Sequence, residues 1–281
     1  MKKRILGKTG LEVSILGVGG YHIGKDHDIE FGTKLIRTTI DEGVNFMDNA
    51  WCYNQGVSET VMGYALRDGY RERVILMTKN HGRHGVTFTS HLEDSLRRLQ
   101  TDHIDVIQLH EIINEGDPEK IYGQGVLEAA ERAKEKGQIR YLGFTGHRWP
   151  KLFKEMLEGD YDWQTAQLPT NLLDYHYRSF LSEIVPILQE RNMGVIGMKS
   201  LAGNGTNMFK TGVSASEAMR FSLSLPIHTL ISGMDTLEIV KENCALAQSF
   251  KPMEEDEKKT LIARVAPHAQ DGSLEGYKES A

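Results

Sequence analysis

The chain has 281 residues, 40% hydrophobic and 26% charged, a composition that can bury a sizeable core and excludes a disordered or fibrous sequence. Its formal net charge of −6 argues against nucleic acid as the main partner, since neutralising phosphates requires a basic face. No run approaches the roughly 20 apolar residues that span a bilayer, and the basic start MKKR has no signal-type apolar core behind it. Two cysteines, Cys52 and Cys244, make neither a disulfide framework nor a metal-spaced cluster, so a cytoplasmic protein with free thiols, no membrane segment and no metal is expected.

In chain order, RILGKTGLEVS reads as a small hairpin turning at Lys8-Thr9-Gly10. VSILGVGG (13–20) follows as the first strand of a longer series. A helix is predicted over 29–43 from Phe31, Leu35, Ile36 and Ile40 at helical spacing, stopped by Gly43. Further strands are predicted at 45–50, 74–80, 104–111, 139–147, 163–171, 193–201 and 228–234. Most are apolar with little polar alternation, as in strands covered on both faces. Helices are predicted between them: 90–100, with Ser90 and Glu93 at capping-box spacing; 125–137, ending in lysines and Gly137; 178–192, which Pro186 should bend or interrupt; and 236–250. The charged segment after Lys251 reads as a surface tail with some helix. Asn204-Gly205-Thr206 matches a glycosylation sequon, read as chance because no secretory signal precedes it.

Eight strand candidates, each followed by a helix candidate, over about 250 residues is the arithmetic of a (β/α)8 TIM barrel. A doubly wound open sheet is the rival. It lacks support because the glycines of GVGGYHIG, at 17, 19, 20 and 24, miss the dinucleotide fingerprint. No linker or composition break divides residues 1–281, so one barrel domain is expected, with the hairpin plugging its floor and a tail from about 251.

Function in such a barrel sits at the C-terminal ends of the strands. Those ends carry Asp48, Lys79 and His110 on three successive strands, with Tyr53 in the loop after the first of them. Neighbouring strands lie about 4.8 Å apart, so a carboxylate, an ammonium and an imidazole reach one small region under a phenol. A tyrosine titrates near pH 10 and needs tuning to act as acid or base at neutral pH. An adjacent ammonium lowers its pKa, and a carboxylate keeps that ammonium charged in a poorly solvated mouth. A neutral histidine can donate an N–H to a carbonyl oxygen. Taken singly, each has a structural reading too: Asp48 as a helix cap, Asp48 and Lys79 as an ion pair, His110 as a core histidine, Tyr53 as packing. Their coincidence at adjacent strand ends favours chemistry. Cys52 adjoins the phenol with no base assigned to it and is read as packing.

These residues resemble the aldo-keto reductase family. FMDNAWCYNQGVSETVMG is similar to its D-x-A-x-x-Y stretch, VILMTKN to its lysine strand, and IDVIQLHE to its D-x-x-x-x-H strand. The likeness extends from about Leu6 to Asn243. The resemblance implies a TIM barrel that uses NADP(H) or NAD(H) to move hydride between nicotinamide and a carbonyl or alcohol substrate. Tyr53 would donate the proton, Lys79 and Asp48 would tune it, and His110 would orient the carbonyl.

The resemblance also implies cofactor contacts from Gly19, Gly20, Thr145, Gln167, Met198, Lys199, Ser200, Leu201, Gly233, Met234, Glu242 and Asn243. Tyr21 would be an aromatic wall of the substrate pocket. Gln167 would hold the carboxamide, and Thr145-Gly146 stands where the family has serine-asparagine, with His147 as a replacement. Met198-Lys199 resembles a subgroup that often carries a cysteine-rich iron–sulfur tail; no such cysteines stand in these 281 residues, so no cluster is expected. Gly233, Met234 and Ile239 occupy the positions where NADP-specific members carry a base. His81, two residues beyond Lys79, is read as substrate-facing; His84 is either pocket-lining or solvated. Asp102, His103, Asp105, His110 and Glu111 cluster in sequence, but Asp105 and His110 are five apart on a strand and face opposite ways. The alternative function is a cofactor-binding sensor or partner subunit on the same barrel.

Overall fold

The computed structural model describes residues 1–25, 28–203 and 205–279; Asn204 of the sequon lies outside them. Strands β1 (Lys3–Ile5) and β2 (Glu12–Ser14) form the antiparallel hairpin, with Arg4 opposite Val13. The next eight strands are β3 (Leu16–Gly19), β4 (Phe46–Asp48), β5 (Ile75–Asn80), β6 (Ile104–Leu109), β7 (Ile139–Thr145), β8 (Thr165–Pro169), β9 (Gly194–Met198) and β10 (Thr229–Gly233). Each pairs in parallel with the next, and β10 pairs with β3 to close the barrel. All eight predicted strands are present. The run at 13–20 divides, because Val13 and Ser14 pair in the hairpin before the chain enters β3.

The hairpin closes the N-terminal floor. Leu6, Leu11 and Val13 pack with Phe46, Met77, Val106, Ile196 and Ile231 inside the barrel. Gly7 is needed there: its φ is +48° and an added Cβ would stand 2.4 Å from the backbone nitrogen of Gly194. A second, larger core lies between the strands and the outer helices.

The helices follow the sequence signals, with one start displaced. The helix expected from Ser90 spans Gly85–Leu99. The His84 N–H donates to Thr87 Oγ1 at 3.3 Å, and buried Phe88 extends the apolar face a turn earlier. Ser90 is an exposed interior position. Pro186 interrupts its segment as expected, leaving Phe180–Glu183 and Val185–Glu190 with the proline in the first turn of the latter.

The reading of the C-terminal segment as a surface tail is corrected. It begins with a helix, Glu255–Val265, but its last described residues return to the barrel mouth, and Glu275 and Lys278 are buried. Lys278 Nζ lies 2.8 Å from Asp174 Oδ1 and 2.9 Å from Glu275 Oε2, and donates to the Tyr177 carbonyl at 2.7 Å. Charge suggested solvent; mutual pairing lets these charges go inside.

Candidate active site

Side chains alternate along a strand, so inward residues recur every second position. Phe46 and Met77 belong to the barrel-interior cluster, as does Val106. Counting by twos from them reaches Asp48, Lys79 and, through Gln108, His110. Gln167 lies two beyond Thr165, whose hydroxyl accepts from the Gln108 amide at 3.2 Å. The polar groups are therefore the top of the same interior stack, with Gln108 and Thr165 beneath some of them and an apolar cluster towards the floor.

Lys79 is the centre of this layer, with 1% of its side chain exposed against 4% for Asp48. Its Nζ pairs with Asp48 Oδ1, donates to the Asn49 carbonyl at 2.8 Å, and reaches Tyr53 Oη at 3.3 Å. The other Asp48 oxygen accepts from Gln167 Nε2 at 3.0 Å. Tyr53 is aimed by a kinked turn in which Asn54 and Gln55 have φ of 49° and 58°. Asn54 Nδ2 fixes that turn by donating to the Tyr21 carbonyl at 2.6 Å and Ser58 Oγ at 2.9 Å. The rings of Tyr21 and His110 stand edge-on to Tyr53 at centroid distances of 5.4 and 5.5 Å. The four expected residues thus meet at one point, with Tyr21 above them.

Burial pushes the Asp48 carboxyl up, and the Lys79 ammonium and Gln167 amide pull it back only in part. Burial works against the Lys79 ammonium, but Asp48 and Tyr53 outweigh it and hold its pKa above the usual lysine range. His110 lies well below the ordinary histidine value, first through burial and then through Lys79 and the neighbouring imidazoles, so it is neutral near pH 7. The expected lowering of Tyr53 is overturned. Burial is the largest influence and takes the phenol to about 12, with Lys79 opposing it.

A second correction concerns Cys52. Two imidazoles adjoin it: His81 Nε2 at 3.1 Å and His110 Nδ1 at 3.5 Å. It remains a thiol, because burial and then Glu111 push it to about 11. The acid-and-histidine cluster at 102–111 disperses: Asp105 pairs outside the barrel with Arg71 at 2.9 Å and Arg140 at 3.0 Å, and Asp102 is exposed beside His103. His84 precedes the Gly85–Leu99 helix and is exposed.

The expected cofactor residues ring this centre. Gly19 ends β3. Gly20 opens a short turn of helix so close to β4 that an added Cβ would meet the Asn49 amide at 2.7 Å. Gln167 gives its NH2 to Asp48 and leaves Oε1 buried with no hydrogen-bond partner among the described residues. Thr145 ends β7, buried. Met198 ends β9, followed by Lys199 at φ 59°; Ser200 is buried and Leu201 packs against the core. Gly233 ends β10 beside the His22 ring, and Asn243 Nδ2 donates to Ser232 Oγ at 3.2 Å, with Glu242 exposed beside it. The Met234 side chain points into the core, which leaves only its backbone for a ligand. His147 is engaged elsewhere: Nδ1 lies 3.1 Å from the Tyr277 carbonyl oxygen and Nε2 3.5 Å from Glu111.

Several contributors had no signal in the sequence. Arg83 donates to the His110 carbonyl at 2.6 Å while paired with Asp117 at 3.1 Å, and so braces the strand end. From the tail, Tyr277 lies under Lys199 Nζ, 4.9 Å from the ring centroid, and accepts from Asn171 Nδ2 at 2.9 Å.

A parallel eight-stranded barrel with carboxylate, ammonium, phenol and imidazole at its C-terminal mouth defines a barrel oxidoreductase. Residues 15–255 match the model of the aldo/keto reductase family, and the chain belongs to that family. It is accordingly a nicotinamide-dependent oxidoreductase. It is 30% identical over 249 residues to the uncharacterized oxidoreductase YrpG of Bacillus subtilis, covering 79% of this chain and 74% of that protein. It is 28% identical over 222 residues to L-galactose dehydrogenase of Arabidopsis thaliana, covering 71% and 65%. Among solved structures, aldo-keto reductase AKR11C1 from Bacillus halodurans in its holo form aligns with TM-score 0.76 and 25% identity, covering 98% of this chain and 99% of its own. Among the described residues, no helix is long and apolar enough to cross a membrane.

Proposed function

We propose that the chain interconverts an aldehyde or ketone and the corresponding alcohol, with Tyr53 as proton donor to the carbonyl oxygen. The observation that carries this reading is the Lys79 ammonium, held between the Asp48 carboxylate and Tyr53 Oη in a buried layer. In the reduction direction the phenol O–H bond breaks and its proton goes to the substrate oxygen. The phenolate left behind is stabilised by Lys79, whose charge Asp48 maintains. Neutral His110 donates an N–H to the same oxygen and fixes its place, with Tyr21 and His81 flanking the substrate.

The nicotinamide fits the residues present. The unpartnered Gln167 Oε1 is an acceptor matched to a carboxamide NH2. Thr145 would add a hydroxyl, the backbones of Gly19 and Gly20 allow close approach, and Met198 would cover a ring face. Lys199, Ser200 and Leu201 would hold the pyrophosphate, and Gly233, the Met234 backbone, Glu242 and Asn243 the adenosine end. When bound, this cofactor supplies or accepts the hydride at the carbonyl carbon.

The test is a spectrophotometric assay with NADPH and with NADH against a panel of aldehydes, ketones and sugars. Tyr53→Phe should cut turnover by about 10²–10⁴-fold, the usual worth of a general acid, with cofactor affinity nearly unchanged. Substantial residual turnover in Tyr53→Phe would sink the assignment. Tight cofactor binding with no turnover on any substrate would instead mark the barrel as a sensor or partner subunit.

A further inference from the structure

The half-buried Cys52 lies within a set of metal-ligand atoms. Cys52 Sγ is 3.1 Å from His81 Nε2 and 3.5 Å from His110 Nδ1, and all three atoms lie within 4.8 Å of one another. The rings of His81 and His110 are 4.4 Å apart between centroids at 64°. A tetrahedral zinc ion, with bonds of about 2.3 Å to sulfur and 2.0–2.1 Å to nitrogen, holds its ligand atoms roughly 3.3–3.6 Å apart. The two sulfur–nitrogen separations are close to that range, and a small inward turn of the imidazoles completes it.

We propose that Cys52, His81 and His110 form a binding site for a thiophilic divalent cation of the zinc class, and that filling it stops carbonyl reduction. The ligand set is one thiol and two imidazoles, the mixture that favours zinc over hard cations such as magnesium or calcium. The charge balance is favourable. Glu111 Oε2 stands 3.8 Å from His81 Nε2 and can be a fourth ligand or a counter-charge. The nearby cations Lys79 and Arg83 are each paired with a carboxylate, Asp48 and Asp117. The site is reachable, since the side chains of His81 and Glu111 are 27% and 38% exposed. Its backbone is braced, because Arg83 ties together the carbonyls of His81, His110 and Glu111 at 3.4, 2.6 and 2.9 Å.

On binding, the Cys52 S–H bond breaks, a sulfur–metal bond forms, and one proton goes to the buffer; no electron is transferred. The consequence for turnover rests on the proposed role of His110. A cation pins that ring by Nδ1 and adds a charge beside the phenol, in the space a carbonyl must enter. The binding itself rests on the geometry alone, so the two can fail separately.

The experiment is titration of the purified full chain with Co²⁺ without oxygen, followed by displacement with Zn²⁺. Expected are one cobalt per chain, a thiolate-to-cobalt charge-transfer band in the near ultraviolet, and release of one proton. Cys52→Ala should lose the band and Cys244→Ser should keep it. His81→Ala should weaken binding by at least about tenfold, since disturbing even outer partners of a metal site costs that much. No band in the wild type at stoichiometric cobalt, or a band that survives in Cys52→Ala, overturns the site. In the reduction assay, Zn²⁺ should lower wild-type turnover, a chelator should restore it, and Cys52→Ala should be insensitive. Equal inhibition of wild type and Cys52→Ala overturns the regulatory half while leaving Tyr53→Phe to judge the proposed chemistry.

Discussion

Replacing Lys278 by Met should release the C-terminal segment from the barrel mouth. The side chain is 0% exposed, as is Asp174, and it is the shared counter-ion of Asp174 and Glu275. Methionine keeps the apolar stem and removes the charge, which leaves two buried carboxylates facing each other. Removing one partner of a buried pair costs about 3–5 kcal/mol. Undocking the tail relieves that penalty, so the cost falls on local opening before it falls on the barrel. At about 1.4 kcal/mol per tenfold, a loss of about 3 kcal/mol makes opening roughly 100-fold more frequent. Native-state hydrogen exchange on a C-terminal peptide covering 275–279 should show that acceleration, with barrel-strand peptides unchanged. The defect has a pH signature. Burial already raises Asp174 to about 6 against the pull of Lys278. For a carboxyl whose folded pKa is raised, the stabilising contribution is present at low pH and is lost as pH rises through the folded value. Without Lys278 the carboxyl holds its proton to still higher pH, so the excess opening should shrink towards pH 5 and be largest near pH 8. Unchanged exchange of the tail, or a defect that grows on acidification, would refute the reasoning.

Three further outcomes follow from the same geometry. Because burial holds Tyr53 at about 12 and His110 well below 6.5, kcat/KM for reduction should be flat from about pH 7 to about pH 9; a break within that range, measured at constant ionic strength, would contradict the assignment. Asp48→Asn strands the Lys79 ammonium in the barrel, at a cost of about 3–5 kcal/mol. At about 2–4 °C per kcal/mol for a chain of this size, the thermal midpoint should drop by roughly 10 °C. Gly143→Ala places a methyl 2.0 Å from Thr165 Oγ1 and 2.4 Å from the Thr165 carbonyl oxygen, inside β7 where the backbone is held by pairing. It should cost at least about 1–3 kcal/mol in denaturant unfolding.

What the sequence reveals depends on the range over which the determining contacts act. Strand positions are legible because a run such as VILMTKN carries its own apolar character, and the order of the barrel follows from the alternation of runs. Asp48, Lys79 and His110 are legible because parity along each strand and adjacency between strands fix their meeting. The start of the Gly85–Leu99 helix is not, because Ser90 and Glu93 offer a capping pattern as good as the one at His84 and Thr87 that is used. The tail is not, because KES beside DGS reads as solvated until Asp174, about a hundred residues away, supplies the partner that buries Lys278. Arg83 and Asp117 are hidden for the same reason. Cys52 is the sharpest case: its two imidazoles come from just past the ends of β6 and β5, and no local spacing marks the three as a set.

The pKa of Tyr53 shows where residue chemistry alone misleads. An ammonium beside a phenol suggests a lowered pKa, and Lys79 does lie 3.3 Å from Tyr53 Oη. Yet the same barrel closure that brings them together removes both from water, and burial outweighs the ammonium. At a pKa of about 12, roughly one phenol in 10⁵ is ionised at pH 7. The chain by itself therefore keeps the proton on the phenol, which suits the proposed reduction. In our reading the ammonium matters after the proton has left, when a phenolate must exist in a dry pocket. The residues that tune the acid are then better understood as stabilising its conjugate base, and Asp48 as the group that keeps that stabilisation from depending on pH.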